Sequence, residues 1–86
     1  MYNIEITPSA FKFLEKLQKG NRNIAQRIVN VIDELSTAAF MGKKLEGSLA
    51  SFRSLRVAEY RIIYLIIEKK ILIQIVKISH RREVYR

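Results

Sequence analysis

Three consecutive runs of β-branched and aromatic residues, separated by very short turns, occupy most of the second half of the chain. The runs are residues 51–57, 60–67 and 70–78, and the turns are Ala58-Glu59 and Glu68-Lys69. Strands joined by so few residues pair antiparallel, because a parallel pair needs a long crossover connection. The sequence therefore predicts an antiparallel meander of three strands.

The first half of the chain predicts one further strand followed by two amphipathic helices. Residues 2–7 alternate apolar and polar side chains, which is the period of a half-buried strand. The first helix is expected to have Thr7 as its N-cap and to end at Gly20. Asn21 is expected to cap a second helix that runs to about Ala39. The apolar stripes of the two helices indicate an αα-hairpin that presents one apolar face.

These elements follow one another in the order β-α-α-β-β-β, with residues 41–50 as the only linker. The predicted fold class is α+β, with a two-helix hairpin packed on a twisted, mainly antiparallel four-stranded sheet. The 86 residues suffice for one modest hydrophobic core but not for two. Residues 1–86 are therefore predicted to form a single domain.

The amino-acid composition excludes several classes of protein and site. The chain has no cysteine and a single histidine, which rules out a disulfide framework and leaves too few ligands for a structural zinc site. We therefore expect no metal and no cofactor. No secretory signal opens the sequence, and Glu68, Lys69 and Lys70 interrupt the longest apolar stretch before it reaches membrane-spanning length. A cytoplasmic protein without a membrane partner is the resulting expectation.

The positive charge of the chain is unevenly distributed. The net charge is +8, of which residues 1–40 carry +1 and residues 41–86 carry +7. A one-sided positive field suits a polyanionic partner, such as a nucleic acid, an acidic membrane surface or an acidic protein. The alternative is a charge that only keeps a small domain soluble. The segregation of charge favours the polyanion.

Two arginines are predicted to face each other on the sheet. If Ala58-Glu59 is a two-residue turn, Arg56 lies opposite Arg61, and Ser54 lies on the same face. Directly opposed like charges destabilise a sheet, so this arrangement indicates an anionic ligand between the guanidinium groups. The alternative is that Arg61 pairs with a glutamate (Glu59, Glu68 or Glu83) and buries only its aliphatic stem.

The charged C-terminal tail follows the last apolar run directly. We expect it to leave the sheet near Arg61, where His80, Arg81 and Tyr85 join Arg56 on one concave surface. Imidazole and phenol transfer protons, and guanidinium stabilises the charge that develops on a phosphate. These groups would suffice for cleavage of RNA without a metal, because the 2′-hydroxyl of the substrate is the nucleophile. Taken singly, His80 could be a solvated histidine and Tyr85 an aromatic anchor for the tail.

Residues 54–64 (SLRVAEYRIIY) and 78–86 (ISHRREVYR) carry a resemblance to the RelE/ParE toxin superfamily of toxin–antitoxin modules. The shared pattern is a leucine-arginine strand, a turn, a Tyr-Arg strand and a terminal His-Arg-x-x-x-Tyr end. The resemblance covers nearly the whole chain, including residues 43–48 (KKLEGS). It implies an mRNA interferase that cleaves mRNA in the ribosomal A site by attack of the 2′-hydroxyl. It also implies two partners, the ribosome with its mRNA and an acidic antitoxin.

The resemblance also implies roles for individual residues. The implied catalytic residues are Arg61, Arg81, Tyr85 and His80, of which the two arginines would hold the phosphate while Tyr85 and His80 share proton transfer. The RNA- and phosphate-binding residues predicted alongside them are Arg53, Arg56, Lys43, Lys44 and Arg82.

The chain departs from the family pattern at three positions. Phe52 and Ser54 stand where the best-known members have lysine, and Ala58 stands where glycine is common.

Two other functions stay open. The superfamily includes ParE-type inhibitors of DNA gyrase that do not cleave RNA, and a basic antiparallel sheet also suits a simple RNA-binding module. The retained His80, Arg81 and Tyr85 favour the nuclease.

Overall fold

The computed structural model describes residues 1–47 and 51–83, which form two helices and a five-stranded sheet. The elements are β1 (Asn3–Ile6), α1 (Pro8–Gly20), α2 (Arg22–Glu34), β2 (Lys43–Lys44), β3 (Phe52–Val57), β4 (Tyr60–Ile67) and β5 (Leu72–His80). Short 3₁₀ turns, Glu68–Lys70 and Arg81–Glu83, follow β4 and β5. The predicted α+β class and element order are confirmed, and β2 is an additional strand in the segment expected to be a linker.

Both helices begin at the side-chain caps that the sequence predicts. The Thr7 hydroxyl accepts a hydrogen bond from the Ala10 N–H at 3.3 Å, and the Asn21 side chain accepts one from Ile24 N–H at 3.3 Å. The second helix ends at Glu34, earlier than expected, because the chain tightens into turns there. Within the described part of the chain, neither helix is long and apolar enough to span a membrane.

The strands lie in the order β1-β5-β4-β3-β2. Neighbouring strands are antiparallel except for β1, which runs parallel to β5. The central position of β4 explains why its sequence is apolar on both faces. Because β5 is antiparallel to β4, the β3–β4 turn and the C-terminal end of β5 lie at the same end of the sheet.

The helices pack on one face of the sheet, called here the helix face, and the hydrophobic core lies between them. The core contains residues of both helices, of the segment that follows α2 and of three strands: Ala10, Leu14, Ile28, Ile32, Leu35, Ala39, Val57, Ile62, Tyr64, Ile73, Ile75 and Ile78. The opposite face, called the open face, carries the residues that alternate with these along each strand.

The strict alternation is interrupted once, by a β-bulge in β5. Ile63 pairs with Lys77, whereas the next residue of β4, Tyr64, pairs with Ile75. Val76 is the extra residue, so β5 gains one position relative to β4. Every residue of β5 beyond Val76 therefore lies on the face opposite to the one that strict alternation would give it.

Candidate functional site

Arg56 of β3 and Arg61 of β4 are direct partners in the antiparallel ladder, as predicted. Their neighbours Val57 and Tyr60 form the last pair before the turn, which confirms the two-residue connection. Directly opposed residues share one face of a sheet, with their β-carbons about 5 Å apart. Two guanidinium groups are therefore carried side by side on the open face, where they raise the local positive potential.

A groove of about 640 Å³ lies beside these arginines at the β2 edge of the sheet. Its lining residues are Met41, Lys43, Lys44, Leu45, Glu46, Ser54, Leu55, Arg56 and Arg61. Four of them are cations and one is a carboxylate, so the groove has a positive potential. A concave surface of this sign attracts and concentrates anionic ligands.

Ser79 of β5 is the ladder partner of Arg61. Arg56, Arg61 and Ser79 thus form a row across three strands on the open face. Ser79 is only 2% exposed, and its Oγ has no hydrogen-bond partner within residues 1–47 and 51–83. A buried hydroxyl without a partner costs about 1–3 kcal/mol. The row thus combines two cations with a hydroxyl that is free to donate or accept a hydrogen bond within the described part of the chain.

His80 lies on the helix face, away from the arginines. It pairs with Tyr60 in the ladder, and the two rings are in edge contact with their centroids 5.2 Å apart. Successive residues of a strand point to opposite faces, so the residue after Ser79 turns away from Arg61. The prediction that His80 joins Arg56 and Arg61 on one surface is therefore wrong.

Both ring nitrogens of His80 are engaged by the turns at this end of the sheet. Nε2 lies 3.1 Å from Oε1 of Glu59, and the backbone N–H of Arg82 donates to Nδ1 at 3.3 Å. With Nδ1 accepting from the backbone, Nε2 is the nitrogen that can donate to the Glu59 carboxylate. The backbone N–H of Arg81 also donates to the carbonyl oxygen of Glu59 at 2.7 Å. These contacts tie the C-terminal 3₁₀ turn to the β3–β4 turn.

Arg53 also lies on the helix face, because its ladder partner is the buried Tyr64. Its Nη1 donates to the carbonyl oxygen of Gly42 at 2.8 Å, and its guanidinium lies 5.0 Å from the ring centroid of Phe40. The side chain therefore holds the loop that leads into β2. Alternation along β3 turns Arg53 away from Arg56, and its predicted role in binding RNA stays a prediction.

Lys43 and Lys44, which are predicted to bind phosphate, form the short edge strand β2 and are exposed. Lys43 pairs with Ser54 and so shares the open face with Arg56. Lys44 pairs with Arg53 and also lines the groove. The β2 edge thus adds two cations to the groove.

Arg81 and Arg82 are exposed and begin the 3₁₀ turn that follows β5. Tyr85 lies outside the described residues, so its catalytic role stays a prediction. Within residues 1–47 and 51–83, no group of three or more histidine, aspartate or glutamate side chains is placed to hold a metal ion.

Tyr64 organises the loop that borders the groove, a role that the sequence does not predict. It is fully buried, donates to the carbonyl oxygen of Ala39 at 2.7 Å and accepts from the N–H of Gly42 at 3.0 Å. Burial raises the pKa of the phenol from its ordinary value of 10.0, whereas the Gly42 N–H and the charge of Arg53 lower it by less. The sequence does contain a signal for this role, namely a tyrosine in the most apolar strand. A buried phenol needs a hydrogen-bond partner, so such a tyrosine indicates a contact with a nearby polar group.

Lys77 is a further cation of the open face that the sequence patterns do not predict. It pairs with Ile63 and is exposed. The signal that would have revealed it is a change of spacing among the buried isoleucines of β5. Ile73 and Ile75 are two residues apart, whereas Ile78 follows only after three, which is the mark of a bulge.

The family model for the ParE toxin of type II toxin–antitoxin systems, parDE, matches residues 4–85. This range includes both helices and all five strands, except for Asn3, the first residue of β1. None of the curated proteins matches the chain.

Several solved toxin structures have a similar fold. The toxin–antitoxin complex RelBE2 from Mycobacterium tuberculosis is 29% identical, with a TM-score of 0.82 over 93% of this chain and 98% of that chain. The isolated E. coli RelE toxin is 20% identical, with a TM-score of 0.81 over 99% of this chain and 92% of that chain. The YoeB–YefM complex from Staphylococcus aureus is 23% identical, with a TM-score of 0.75 over 93% and 97% of the two chains.

Proposed function

The chain belongs to the ParE toxin family of type II toxin–antitoxin systems, and we propose that it is an endoribonuclease that cleaves mRNA in the ribosomal A site. The 2′-hydroxyl of a nucleotide attacks the adjacent phosphorus, and the bond from phosphorus to the 5′-oxygen breaks. The products are a 2′,3′-cyclic phosphate and a 5′-hydroxyl. Because the substrate supplies the nucleophile, the protein needs only cations and groups that transfer protons. The observation that best supports this function is the Arg56–Arg61 pair in the wall of a positively charged groove.

Arg61 is the residue that we assign to the scissile phosphate. Its backbone lies in the central strand of the sheet, so the base of the side chain is fixed by ladders on both sides. A cation that is positioned before the reaction stabilises the developing charge without a cost for reorganisation. Arg56 lies beside it and adds to the same positive potential.

Arg81 is the second cation that we assign to the phosphate. It follows Ser79, the ladder partner of Arg61, by two residues. Its backbone N–H is held by the carbonyl oxygen of Glu59 at 2.7 Å. The start of the C-terminal turn is therefore anchored at the same end of the strands as Arg61.

Proton transfer is assigned to Tyr85 in this proposal. A phenol is a weak base at neutral pH, and a nearby positive charge favours the ionised form of a phenol in general. Arg81, Arg82 and Arg86 lie within four residues of Tyr85 in the sequence. His80 is left out of proton transfer, because its imidazole lies on the helix face and contacts Glu59 and Arg82.

The same charged surface supports an acidic antitoxin as the partner that neutralises the toxin. The RelBE2 and YoeB–YefM structures are toxin–antitoxin complexes, and this chain carries a net charge of +8. An acidic chain laid over the open face would compete with RNA for the same cations. Coexpression with the product of an adjacent acidic reading frame should relieve the growth arrest that the toxin causes, and unchanged arrest would exclude that product as the antitoxin.

Single-turnover cleavage of mRNA on programmed ribosomes, mapped by primer extension, tests the nuclease. We expect Arg61→Ala to lower the rate by about 10²–10³-fold, the usual effect of losing one electrostatic donor. Lys70→Ala removes an exposed lysine at the other end of the sheet and should leave the rate unchanged. Thermal melts of both variants control for folding. Failure of the wild type to cleave, or equal rates for wild type and Arg61→Ala, would overturn the proposal.

A second candidate function is inhibition of DNA gyrase without cleavage of RNA. The match to a ParE family model favours it. A supercoiling assay with purified gyrase separates the two functions. Inhibition of supercoiling together with intact mRNA on ribosomes would support the gyrase inhibitor and exclude the nuclease.

A further inference from the structure

Lys77 occupies the open face only because β5 contains a bulge. Ile75 is fully buried on the helix face, and strict alternation would place Lys77 on that same face. The extra residue Val76 turns Lys77 outward and lets Ile78 take the next buried position. Bulges are over-represented next to active sites, where they re-aim a side chain.

The bulge makes Lys77 a diagonal neighbour of Arg61. Arg61 pairs with Ser79, and Lys77 precedes Ser79 by two residues on the same face. Diagonal neighbours on adjacent strands are about 7–8 Å apart, within reach of long side chains. The ammonium group of Lys77 and the guanidinium of Arg61 can therefore contact the same extended anion.

Lys43 has the corresponding relation to Arg56 on the other side. It pairs with Ser54, which precedes Arg56 by two residues on the open face. The arginine pair on β3 and β4 is thus flanked by Lys43 on β2 and Lys77 on β5. The four cations form a continuous track across β2, β3, β4 and β5.

We propose that Lys77 is a phosphate-binding residue of this site that contacts the RNA backbone one phosphate away from the scissile group. The proposal rests on the proposed action on RNA. Two residues along a strand span about 6.6 Å, which is similar to the distance between successive phosphates of an extended single strand. Within the described residues, no carboxylate forms an ion pair with Lys77, so its charge is available to a ligand.

The salt dependence of RNA binding tests this contact without requiring cleavage. The probe is a short fluorescein-labelled single-stranded RNA whose riboses are 2′-O-methylated, so that no 2′-hydroxyl can attack. Fluorescence anisotropy gives the affinity of the purified toxin at a series of salt concentrations. Each phosphate contact to a single strand contributes about 0.7 to the slope of log affinity against log salt.

We expect Lys77→Gln to reduce the magnitude of this slope by about 0.7 and Lys77→Arg to leave it unchanged. Lys70→Gln is the matched control, because it removes the same charge from the turn at the opposite end of β5 and should not change the slope. An unchanged slope in Lys77→Gln would overturn the assignment. Equal losses in Lys77→Gln and Lys70→Gln, or absence of salt-dependent binding by the wild type, would also overturn it.

The outcome for Lys77 is separable from that of the proposed nuclease. Cleavage of mRNA on programmed ribosomes is measured independently on the same preparations. A reduced slope in Lys77→Gln together with no cleavage by the wild type would support Lys77 as a phosphate-binding residue and exclude the nuclease. Cleavage by the wild type with no effect of Lys77→Gln on the slope would retain the nuclease and exclude the contact.

Discussion

The hydroxyl of Tyr64 accepts a hydrogen bond from the backbone N–H of Gly42 at 3.0 Å, inside the fully buried core. The same hydroxyl donates to the carbonyl oxygen of Ala39 at 2.7 Å. One phenol on the central strand thus fixes both ends of the segment that enters β2. Because Lys43 and Lys44 directly follow this segment, the core tyrosine sets the position of two groove cations.

Tyr64→Phe removes this hydroxyl and keeps the ring. We expect the free energy of unfolding to fall by about 1–3 kcal/mol, because a buried N–H and a buried carbonyl lose their partner. Tyr60→Phe is the matched control, since Tyr60 is half-buried and is held by ring contacts with Phe13 and His80. Urea denaturation measures both variants. Equal stability of Tyr64→Phe and the wild type would contradict the role of this hydrogen bond.

The buried phenol should also make the fold sensitive to alkali. Burial raises the pKa of Tyr64 from 10.0, so the folded state holds the phenol proton more tightly than the unfolded chain does. Its contribution to stability is complete below the unfolded-state pKa and is lost as pH rises towards the folded-state pKa. We expect the wild type to lose stability more steeply than Tyr64→Phe above about pH 10. Urea denaturation at a series of pH values compares them, and parallel pH profiles would exclude Tyr64 as the cause.

Gly42 is the second half of this contact, and we expect Gly42→Ala to be destabilising. A β-carbon at this position would lie 2.5 Å from the Tyr64 hydroxyl oxygen and 3.0 Å from the carbonyl oxygen of Ser54. Overpacking of this kind costs about 1–3 kcal/mol. Gly20→Ala is the control, because a β-carbon there would meet no atom within 4 Å apart from its chain neighbours and the backbone of its own helix. Denaturation curves in which the two alanine variants are equally stable would refute the steric argument.

Arg53 and Arg56 lie on one strand but on opposite faces, and their substitutions should separate stability from RNA binding. Arg53→Met keeps the apolar stem and loses the hydrogen bond to Gly42 and the contact with Phe40. We expect it to lower the unfolding free energy by about 1–2 kcal/mol and to leave the salt slope of RNA binding unchanged. Arg56→Met should do the reverse, with a slope reduced by about 0.7. A slope reduced by Arg53→Met instead would confirm the predicted binding of RNA by Arg53.

The register of the arginine pair could be predicted because two independent constraints agree. The connection between β3 and β4 is too short for more than one pairing, and Val57 and Tyr60 both have to face the helices. This holds although Ala58 adopts a φ of 54°, in the left-handed region that favours glycine. Hydrophobic pattern and turn length together outweighed the local preference of one turn residue.

Two features could not be predicted because they depend on contacts distant in sequence. Strand β2 is only two residues long, too short for any periodicity, and its position depends on the contacts of Gly42 with Tyr64 and Arg53. The bulge at Val76 adds one residue to β5. A shift of one residue exchanges the two faces of a strand, which is why Lys77 was missed and His80 was assigned to the wrong face.

His80→Gln tests whether the histidine takes part in proton transfer or only positions the C-terminal turn. Its imidazole contacts Glu59 and the backbone N–H of Arg82 on the side of the sheet opposite to Arg61. We expect the single-turnover rate on programmed ribosomes to fall by less than about tenfold, whereas loss of an acid–base group costs about 10²–10⁴-fold. Tyr85→Phe is the comparison, with an expected loss in that larger range.

The pH dependence of the rate separates the two roles of His80. A positioning residue leaves the shape of the pH–rate profile unchanged when it is replaced, because the groups that titrate in the reaction are still present. Replacement of a proton-transfer residue removes one limb of the pH–rate profile. A loss of more than about 10²-fold in His80→Gln, together with a changed profile and an unchanged melting temperature, would show that the histidine reaches the reacting atoms in spite of its place on the helix face.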